Sequence, residues 1–165
     1  MTKTIPVTKR VFSQPFVVVG VIIEKDGKFL LVQEAKGEAY GRWNQPAGWL
    51  DMKEDIIAGA KREAFEETGL KIELLGVLGV YPLLKVTGGV LKYPIKFIFA
   101  AKALDNNIKF DKKELLDAKW FSLEEIKDLG ENLRDLDIIN EVEDYLGGKI
   151  YPLEVIKPIT DMTIE

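Results

Sequence analysis

GWLDMKEDIIAGAKREAFEETGL, residues 48–70, is the segment from which the rest of this chain can be interpreted. Its apolar residues recur every three or four positions, a spacing that predicts an amphipathic helix from about residue 53 or 54 to Thr68. Gly69 is expected to end this helix, as glycine commonly does just after a last turn. The apolar stripe consists of Ile56, Ile57, Ala60 and Ala64.

Three carboxylates share one side of the predicted helix. Glu63, Glu66 and Glu67 fall within an arc of roughly 100°, because positions i, i+3 and i+4 are neighbours on a helix surface. Each pair of like charges costs about 0.2–0.5 kcal/mol unless a cation compensates for it. Mg²⁺ and Mn²⁺ prefer oxygen ligands, so the cluster indicates a metal site. A solvated, glutamate-rich face is the alternative that these three residues alone leave open.

The wider spacing favours the metal site. Gly48 is followed after five residues by Glu54, and after seven more by Arg62, which begins the run REAFEETGL. This arrangement matches every fixed position of the Nudix box, G-x5-E-x7-R-E-U-x-E-E-x-G-U, in which U is apolar. The sequence therefore closely resembles the Nudix hydrolase family. The box covers residues 48–70, and looser similarity extends over about residues 16–129.

The resemblance implies an α+β fold, an αβα sandwich around a mixed central sheet, and the order of elements in the sequence agrees with it. It also implies Mg²⁺-dependent hydrolysis of a phosphoanhydride (pyrophosphate) bond, with Mn²⁺ as an alternative metal. The substrate would be a nucleoside di- or triphosphate, or a nucleoside diphosphate linked to another group. A metal ion in such a site neutralises developing charge and lowers the pKa of the attacking water.

Roles for single residues follow from the matched positions. The metal ligands implied are the backbone carbonyl of Gly48 and the carboxylates of Glu63, Glu66 and Glu67. Glu63 is also the first choice for the general base, although relatives differ in where that role lies. Arg62 lies four residues before Glu66 and is expected to orient its carboxylate, with a weak surface ion pair as the alternative.

Two further acidic residues are considered beside these. Relatives often place an additional acidic residue near the metals from the region that corresponds to residues 106–116, where Glu114 is the candidate ligand and a solvated loop is the alternative. Glu54 is placed away from the three carboxylates by helical spacing, so a supporting or N-terminal polar role is assigned to it.

Composition bounds the architecture and the partners. At 165 residues, with 47% hydrophobic and 30% charged residues, the chain suits one domain over residues 1–165. We expect a core over about residues 16–146, with residues 1–15 and 150–165 peripheral. The formal net charge of −4 argues against broad binding of duplex nucleic acid. The expected partner is a small nucleotide or pyrophosphate substrate, and a homodimer stays open.

Missing residue types exclude several chemistries. The chain contains no histidine and no cysteine, which removes serine–histidine and cysteine–histidine catalysis, imidazole zinc sites and disulfides. Carboxylates, lysine, tyrosine and metal-bound water are left for hydrolytic work. The N-terminal MTKTIPVTKRVF lacks the apolar core of a signal peptide, and no stretch approaches the length of a membrane span. We therefore expect a soluble, cytoplasmic protein without membrane partners.

Outside the box, turn and capping signals predict the other elements. An Asp26-Gly27 turn between β-branched residues 16–23 and residues 28–33 predicts a hairpin. The first run is apolar almost throughout and is predicted to be a central strand covered on both faces. Ser122 and Glu125 form a capping box that begins a helix. Also predicted are a loop at 34–42, strands within 71–84, at 94–101 and at 118–121, a turn at 87–89, and a last helix at 135–146.

The choice of substrate is the least determined property. The wording WNQPAGWLD, residues 43–51, resembles a branch of the family that releases phosphate from nucleoside tri- and diphosphates and from thiamine precursor pyrophosphates. ADP-ribose, dinucleoside polyphosphates and oxidised nucleotides are alternatives. Candidate substrate contacts are Tyr40, Trp43, Trp49 and Tyr81 for a base, with core packing as the alternative, and Lys92, Tyr93 and Lys96 for phosphates, with solvation as the alternative.

Two functions of other classes are weighed against hydrolysis. A non-catalytic Nudix module that binds a nucleotide or partner as a sensor should have lost box carboxylates, yet all are present here. A structural protein with a glutamate-rich helix should show no Mg²⁺-dependent thermal shift with nucleotide.

Overall fold

A computed structural model describes residues 14–160 as a mixed β-sheet between helices. The strands are β1 (Phe16–Lys25), β2 (Lys28–Glu34), β3 (Trp43–Asn44), β4 (Ala47–Trp49), β5 (Ile72–Pro82), β6 (Lys85–Thr87), β7 (Val90–Lys92), β8 (Pro94–Ala103) and β9 (Leu115–Phe121). The helices are α1 (Ile56–Thr68), α2 (Leu123–Leu129) and α3 (Asp137–Leu146). Short 3₁₀ turns lie at Gly37–Ala39, Gly130–Asn132 and Leu153–Val155.

The sheet is built around β1. Its seven strands follow the order β3-β2-β1-β8-β5, with β4 added to β1 and β9 added to β2. β1 and β8 run parallel, and the other pairs are antiparallel. β6 and β7 form a separate two-stranded hairpin. The predicted central position of the first strand and the mixed sheet are confirmed.

Two cores cover the two faces of the sheet, because neighbouring residues of a strand point to opposite sides. Ile22 of β1 lies in the core beneath α2 and α3, whereas Val21 and Ile23 lie in the core beneath α1. Ala60 and Ala64 are fully buried apolar residues that α1 contributes to this second core. The predicted α+β sandwich, one helix layer on each side of a mixed sheet, is confirmed.

Local signals located most elements correctly. Asp26 and Gly27 both have positive φ, 52° and 76°, which matches the hairpin turn predicted between β1 and β2. The box helix begins at Ile56, slightly later than predicted, because Lys53 has a φ of 66° and Asp55 is extended. β9 begins at Leu115, three residues before its predicted start. α3 begins at Asp137, two residues after its own predicted start. None of the helices within residues 14–160 has the length and apolar character that crossing a membrane requires.

The C-terminal residues that the structure describes, for which a peripheral position is predicted, contact both β5 and the core beneath α1. Tyr151 exchanges two backbone hydrogen bonds with Val77 of β5, both 2.8 Å. Leu153 and Ile156 pack against the core beneath α1. These contacts join residues that are far apart in the sequence, so no local sequence pattern predicts them. The predictions for residues 1–13 and 161–165 lie outside the described residues.

Candidate active site

α1 carries the box carboxylates on the edge that faces β4. Ala60 and Ala64 are buried against the sheet, and the helix ends at Gly69, whose amide donates to the carbonyl of Phe65 at 2.7 Å. Residues 50–55 connect β4 to α1, so the strand and the helix stay close together. The side chains of Glu63 and Arg62 therefore lie beside the backbone of the strand that contains Gly48.

Arg62 connects several groups at this edge through hydrogen bonds from its guanidinium. Its guanidinium donates to both carboxylate oxygens of Glu54, at 2.7 and 2.9 Å, and to Glu63 Oε1 at 2.7 Å. It also donates to Glu66 at 3.1 Å and to the carbonyl of Trp49 at 3.1 Å. The predicted contact with Glu66 is present, but Glu66 is 57% exposed and the bidentate partner is Glu54.

The structure corrects the argument that set Glu54 apart. Helical spacing does not apply to it, because Glu54 precedes α1 and folds back to reach Arg62, while its Oε2 also accepts from the amide of Asp51. The hydrogen bond from Arg62 lowers the pKa of the Glu54 carboxyl, which keeps it ionised. The same contact raises the pKa of Arg62. Glu54 thus holds the arginine that holds Glu63.

Glu63 occupies space that only a glycine at residue 48 leaves free. A Cβ atom at Gly48 would overlap the carboxyl group of Glu63. Gly48 lies opposite Val19 of β1, so the strand cannot easily withdraw to make room. The Glu63 side chain is only 12% exposed, and this burial raises the pKa of its carboxyl despite the opposing effect of Arg62. The box glycine and this glutamate are therefore in direct contact.

Glu67 is the most enclosed of the three clustered carboxylates. Its Oε2 accepts from the amide of Ala47 at 2.9 Å. Burial, followed by the nearby charge of Glu34, raises the pKa of the Glu67 carboxyl well above its usual range. Such a carboxylate needs a cation or a proton to be stable in its position.

Glu114 lies in a different setting from the box residues. Its side chain is exposed and pairs with Lys36 across the surface. Its backbone carbonyl accepts from Ala35, which follows β2. Its assignment as a metal ligand stays a prediction.

The NUDIX domain model matches residues 14–142, most of the chain and the whole of the edge just described. This chain belongs to the Nudix hydrolase family. It is therefore an enzyme of the class that hydrolyses acid anhydrides, and members of this class act on small nucleotide substrates.

Two relatives show how much of the Nudix chain is shared. Phosphatase NudJ of Escherichia coli K12 is 32% identical over 146 residues, which are 87% of this chain and 91% of that protein. A Nudix hydrolase of known structure from Nitrosomonas europaea is 34% identical with a TM-score of 0.77, covering 88% of this chain and 98% of that one. The MutT protein from Methanosarcina mazei, 24% identical with a TM-score of 0.69, supports the fold alone.

The site offers the donor atoms that a divalent metal requires. Nudix hydrolases generally use such an ion, and here Arg62 alone pairs with Glu63 and Glu66 while it also pairs with Glu54, so one positive charge faces several negative ones. Carboxylate oxygens are the ligands that Mg²⁺ and Mn²⁺ prefer, so the residues present fit the ion. No three acidic side chains within residues 14–160 are already arranged to hold one ion together.

Sequence reasoning missed a second ion pair at this site. Glu34, at the end of β2, is close enough to raise the pKa of Glu67, and its own Oε1 accepts from Arg134 at 2.6 Å. Arg134 is fixed by its amide, which donates to the carbonyl of Trp43 at 2.8 Å. The two partners lie 100 residues apart, and neither belongs to the box, so no spacing rule connects them.

The aromatic candidates for base stacking differ in their exposure. Trp43 is buried and packs edge-on against Phe121, with ring centroids 4.9 Å apart. Trp49 stacks on Phe16 at a centroid distance of 4.4 Å. Tyr40 is 64% exposed. The tryptophans are thus engaged within the domain, whereas Tyr40 presents its ring to solvent.

The residues considered for phosphate contacts are paired with acidic groups. Lys96 is buried and lies 2.7 Å from Asp137 and 2.6 Å from Glu141, both on α3. Lys92 of β7 pairs with Glu38 at 3.1 Å. Tyr93, which follows β7, is 39% exposed. Tyr81, a candidate for stacking, instead donates its hydroxyl to Asp144 at 2.8 Å.

Proposed function

We propose that this Nudix hydrolase is a Mg²⁺-dependent phosphohydrolase that cleaves a phosphoanhydride bond in a nucleoside di- or triphosphate, or in a nucleoside diphosphate linked to another group. The observation that carries the proposal is a connected set of contacts. Glu54 binds Arg62, Arg62 binds Glu63, and the carboxyl group of Glu63 lies against Gly48. The name of the Escherichia coli relative, Phosphatase NudJ, is consistent with release of phosphate.

In the proposed mechanism, the metal ion would be held by Glu63, Glu66, Glu67 and the carbonyl of Gly48. The bound ion would neutralise charge on the phosphate oxygens and lower the pKa of the attacking water. Arg62 orients two of these ligands, because its guanidinium donates hydrogen bonds to Glu63 and Glu66. Such outer partners fix the orientation of ligands and raise their affinity for metal.

Hydrolysis then requires one proton acceptor. A water oxygen forms a bond to phosphorus, the bond from phosphorus to the bridging oxygen breaks, and the water proton passes to a carboxylate. We assign that proton to Glu63, the general base that the family resemblance favours, whose carboxyl lies against the backbone of β4 at Gly48. The leaving phosphate departs with the electron pair of the broken bond.

A substrate screen tests the proposal. The purified chain is incubated with nucleoside tri- and diphosphates, ADP-ribose, dinucleoside polyphosphates and thiamine pyrophosphate, and released phosphate and pyrophosphate are measured. We expect turnover with Mg²⁺ or Mn²⁺ and none with EDTA. A nucleotide-dependent thermal shift without turnover on any compound would contradict hydrolysis and support a sensor instead.

A further inference from the structure

The C-terminal segment, defined as residues 150–159, is attached to β5 beside a glycine that allows the two backbones to approach closely. Tyr151 and Val77 exchange two backbone hydrogen bonds of 2.8 Å. The neighbouring residue of β5 is Gly76, and a Cβ atom there would overlap the carbonyl oxygen of Tyr151. The close approach of the two backbones therefore depends on a glycine at this position.

The segment next crosses the sheet face that α1 covers. Leu153 and Ile156 pack against the core that contains Ala60 and Ala64 of the box helix. Ile56 and Ile57, in the first turn of α1, pack at the same core. Apolar contact thus extends from β5 to the beginning of the helix that carries the catalytic carboxylates.

The segment ends at the N-cap of α1. The amide of Ile159 donates to Asp55 Oδ1 at 2.8 Å. Asp55 is the N-cap residue, yet its side chain makes no capping hydrogen bond to its own helix in the described structure. Its carboxylate therefore binds the C-terminal segment in place of an amide of the first turn.

Glu54, the residue before Asp55, links this contact to the site. Asp55 follows Glu54, whose carboxylate holds Arg62 at 2.7 and 2.9 Å, and Arg62 holds Glu63 at 2.7 Å. We infer that the C-terminal segment positions the first turn of α1 and, through it, the contacts among Glu54, Arg62 and Glu63. Tyr151 and Ile159 are then positioning residues, and their effect on catalysis rests on the function proposed above.

Two matched pairs of variants test this role. Gly76→Ala displaces Tyr151, whereas Gly79→Ala adds the same methyl group to the same strand with its nearest neighbour, the Tyr81 ring, 3.2 Å away. Ile159→Pro removes the amide that binds Asp55, whereas Ile159→Ala keeps it and shortens a side chain that is already 54% exposed. If Gly76→Ala does not fold, the pair at residue 159 decides.

Hydrogen–deuterium exchange of residues 55–64 reports the helix directly, since the amide of Gly59 donates to the carbonyl of Asp55 at 2.8 Å. We expect faster exchange there in Gly76→Ala and Ile159→Pro, and wild-type exchange in both controls. The Mg²⁺ concentration for half-maximal turnover should rise about tenfold in the same two variants, with KM for the nucleotide little changed.

Equal exchange in each variant and its control would overturn the inference. Faster exchange with an unchanged Mg²⁺ requirement would overturn it too, because the segment would then stabilise the helix without acting on the site. If the wild-type chain hydrolyses none of the compounds, the proposed function fails. Faster exchange in Gly76→Ala and Ile159→Pro would in that case still support positioning of the first turn.

Discussion

At the scale of single residues, the site depends on one arginine that serves three carboxylates. Arg62 can do so because its planar guanidinium carries donors on three nitrogens, and the structure uses all of them. Glu54 receives the bidentate contact, which leaves one nitrogen for Glu63 and Glu66. This division of the hydrogen bonds explains why Glu54, which precedes α1, can control the orientation of Glu63 and Glu66 on that helix.

Replacing Arg62 by Gln should lower kcat/KM about 10–100-fold, the range typical for loss of a partner that orients metal ligands. The Mg²⁺ requirement should rise, because Glu63 and Glu66 lose their common donor. The neighbouring Lys61→Gln removes the same charge from an exposed position of the same helix and should behave as wild type. Steady-state kinetics over a Mg²⁺ titration measures both. Equal loss in the two variants would contradict the orienting role.

Close contact at Gly48 gives a second prediction at this scale. Gly48→Ala places a methyl group where the carboxyl group of Glu63 lies, so Glu63 must move. We expect a loss of turnover with a fold that still melts cooperatively. Gly79→Ala, in a strand position with more space, serves as the control. Normal kinetics in Gly48→Ala would show that the position of Glu63 does not matter for turnover.

At the scale of elements, the proposed catalytic residues and a stabilising helix cap lie on different helices. α1 carries the site, whereas α2 begins with a complete capping box in which Ser122 and Glu125 each accept from the amide of the other. Ser122→Ala should destabilise the protein by about 1 kcal/mol, the usual value of such a cap, and leave kcat unchanged. Urea denaturation and kinetics check this, with Ser122→Thr as the conservative control. A changed kcat at full folding would contradict the separation.

Elements with local signals could be predicted, and those fixed by distant contacts could not. The Asp26-Gly27 turn and the Ser122 capping box are contained within a few residues, and both are confirmed. The box spacing likewise identifies the family from the sequence alone. By contrast, the ion pair of Glu34 with Arg134 and the docking of residues 150–159 join parts of the chain about 70–100 residues apart. Only the folded tertiary structure brings them together, so local sequence patterns do not contain them.

At the scale of the whole molecule, the two faces of the sheet differ in their buried charge. The face opposite α1 encloses Lys96 with two carboxylates of α3, Asp137 and Glu141. One lysine cannot neutralise both acids, and Asp135 adds a further negative charge nearby. Complete burial, partly opposed by Lys96, raises the pKa of Glu141 to about 8. Glu141 is therefore mostly protonated at neutral pH.

This raised pKa makes the stability of the protein depend on pH. Between the unfolded value of 4.5 and the folded value of about 8, the folded state holds a proton that the unfolded state does not. The contribution is complete below the unfolded value and is lost as pH rises through the folded value. Between pH 6 and 9, the free energy of unfolding should fall by about 2–3 kcal/mol from this group, at roughly 1.4 kcal/mol per pH unit.

Glu141→Gln, an uncharged mimic of the protonated acid, should remove most of that fall. Glu143→Gln, on the same helix but half-exposed and paired with Lys127, should keep it. Urea denaturation at pH 6 and pH 9 measures the difference for all three proteins. Parallel pH profiles for wild type and Glu141→Gln would show that this glutamate does not titrate as described.

The central claim is that the buried carboxylates of α1 bind the metal that drives hydrolysis. Its most direct test compares Mg²⁺-dependent phosphate release by Glu67→Gln and Glu124→Gln, since both remove one carboxylate charge, the first from the site and the second from the surface pair with Lys127. We predict a loss of kcat/KM of at least about 100-fold and a weakened Mg²⁺ dependence for Glu67→Gln alone. Undiminished turnover in Glu67→Gln would contradict the claim.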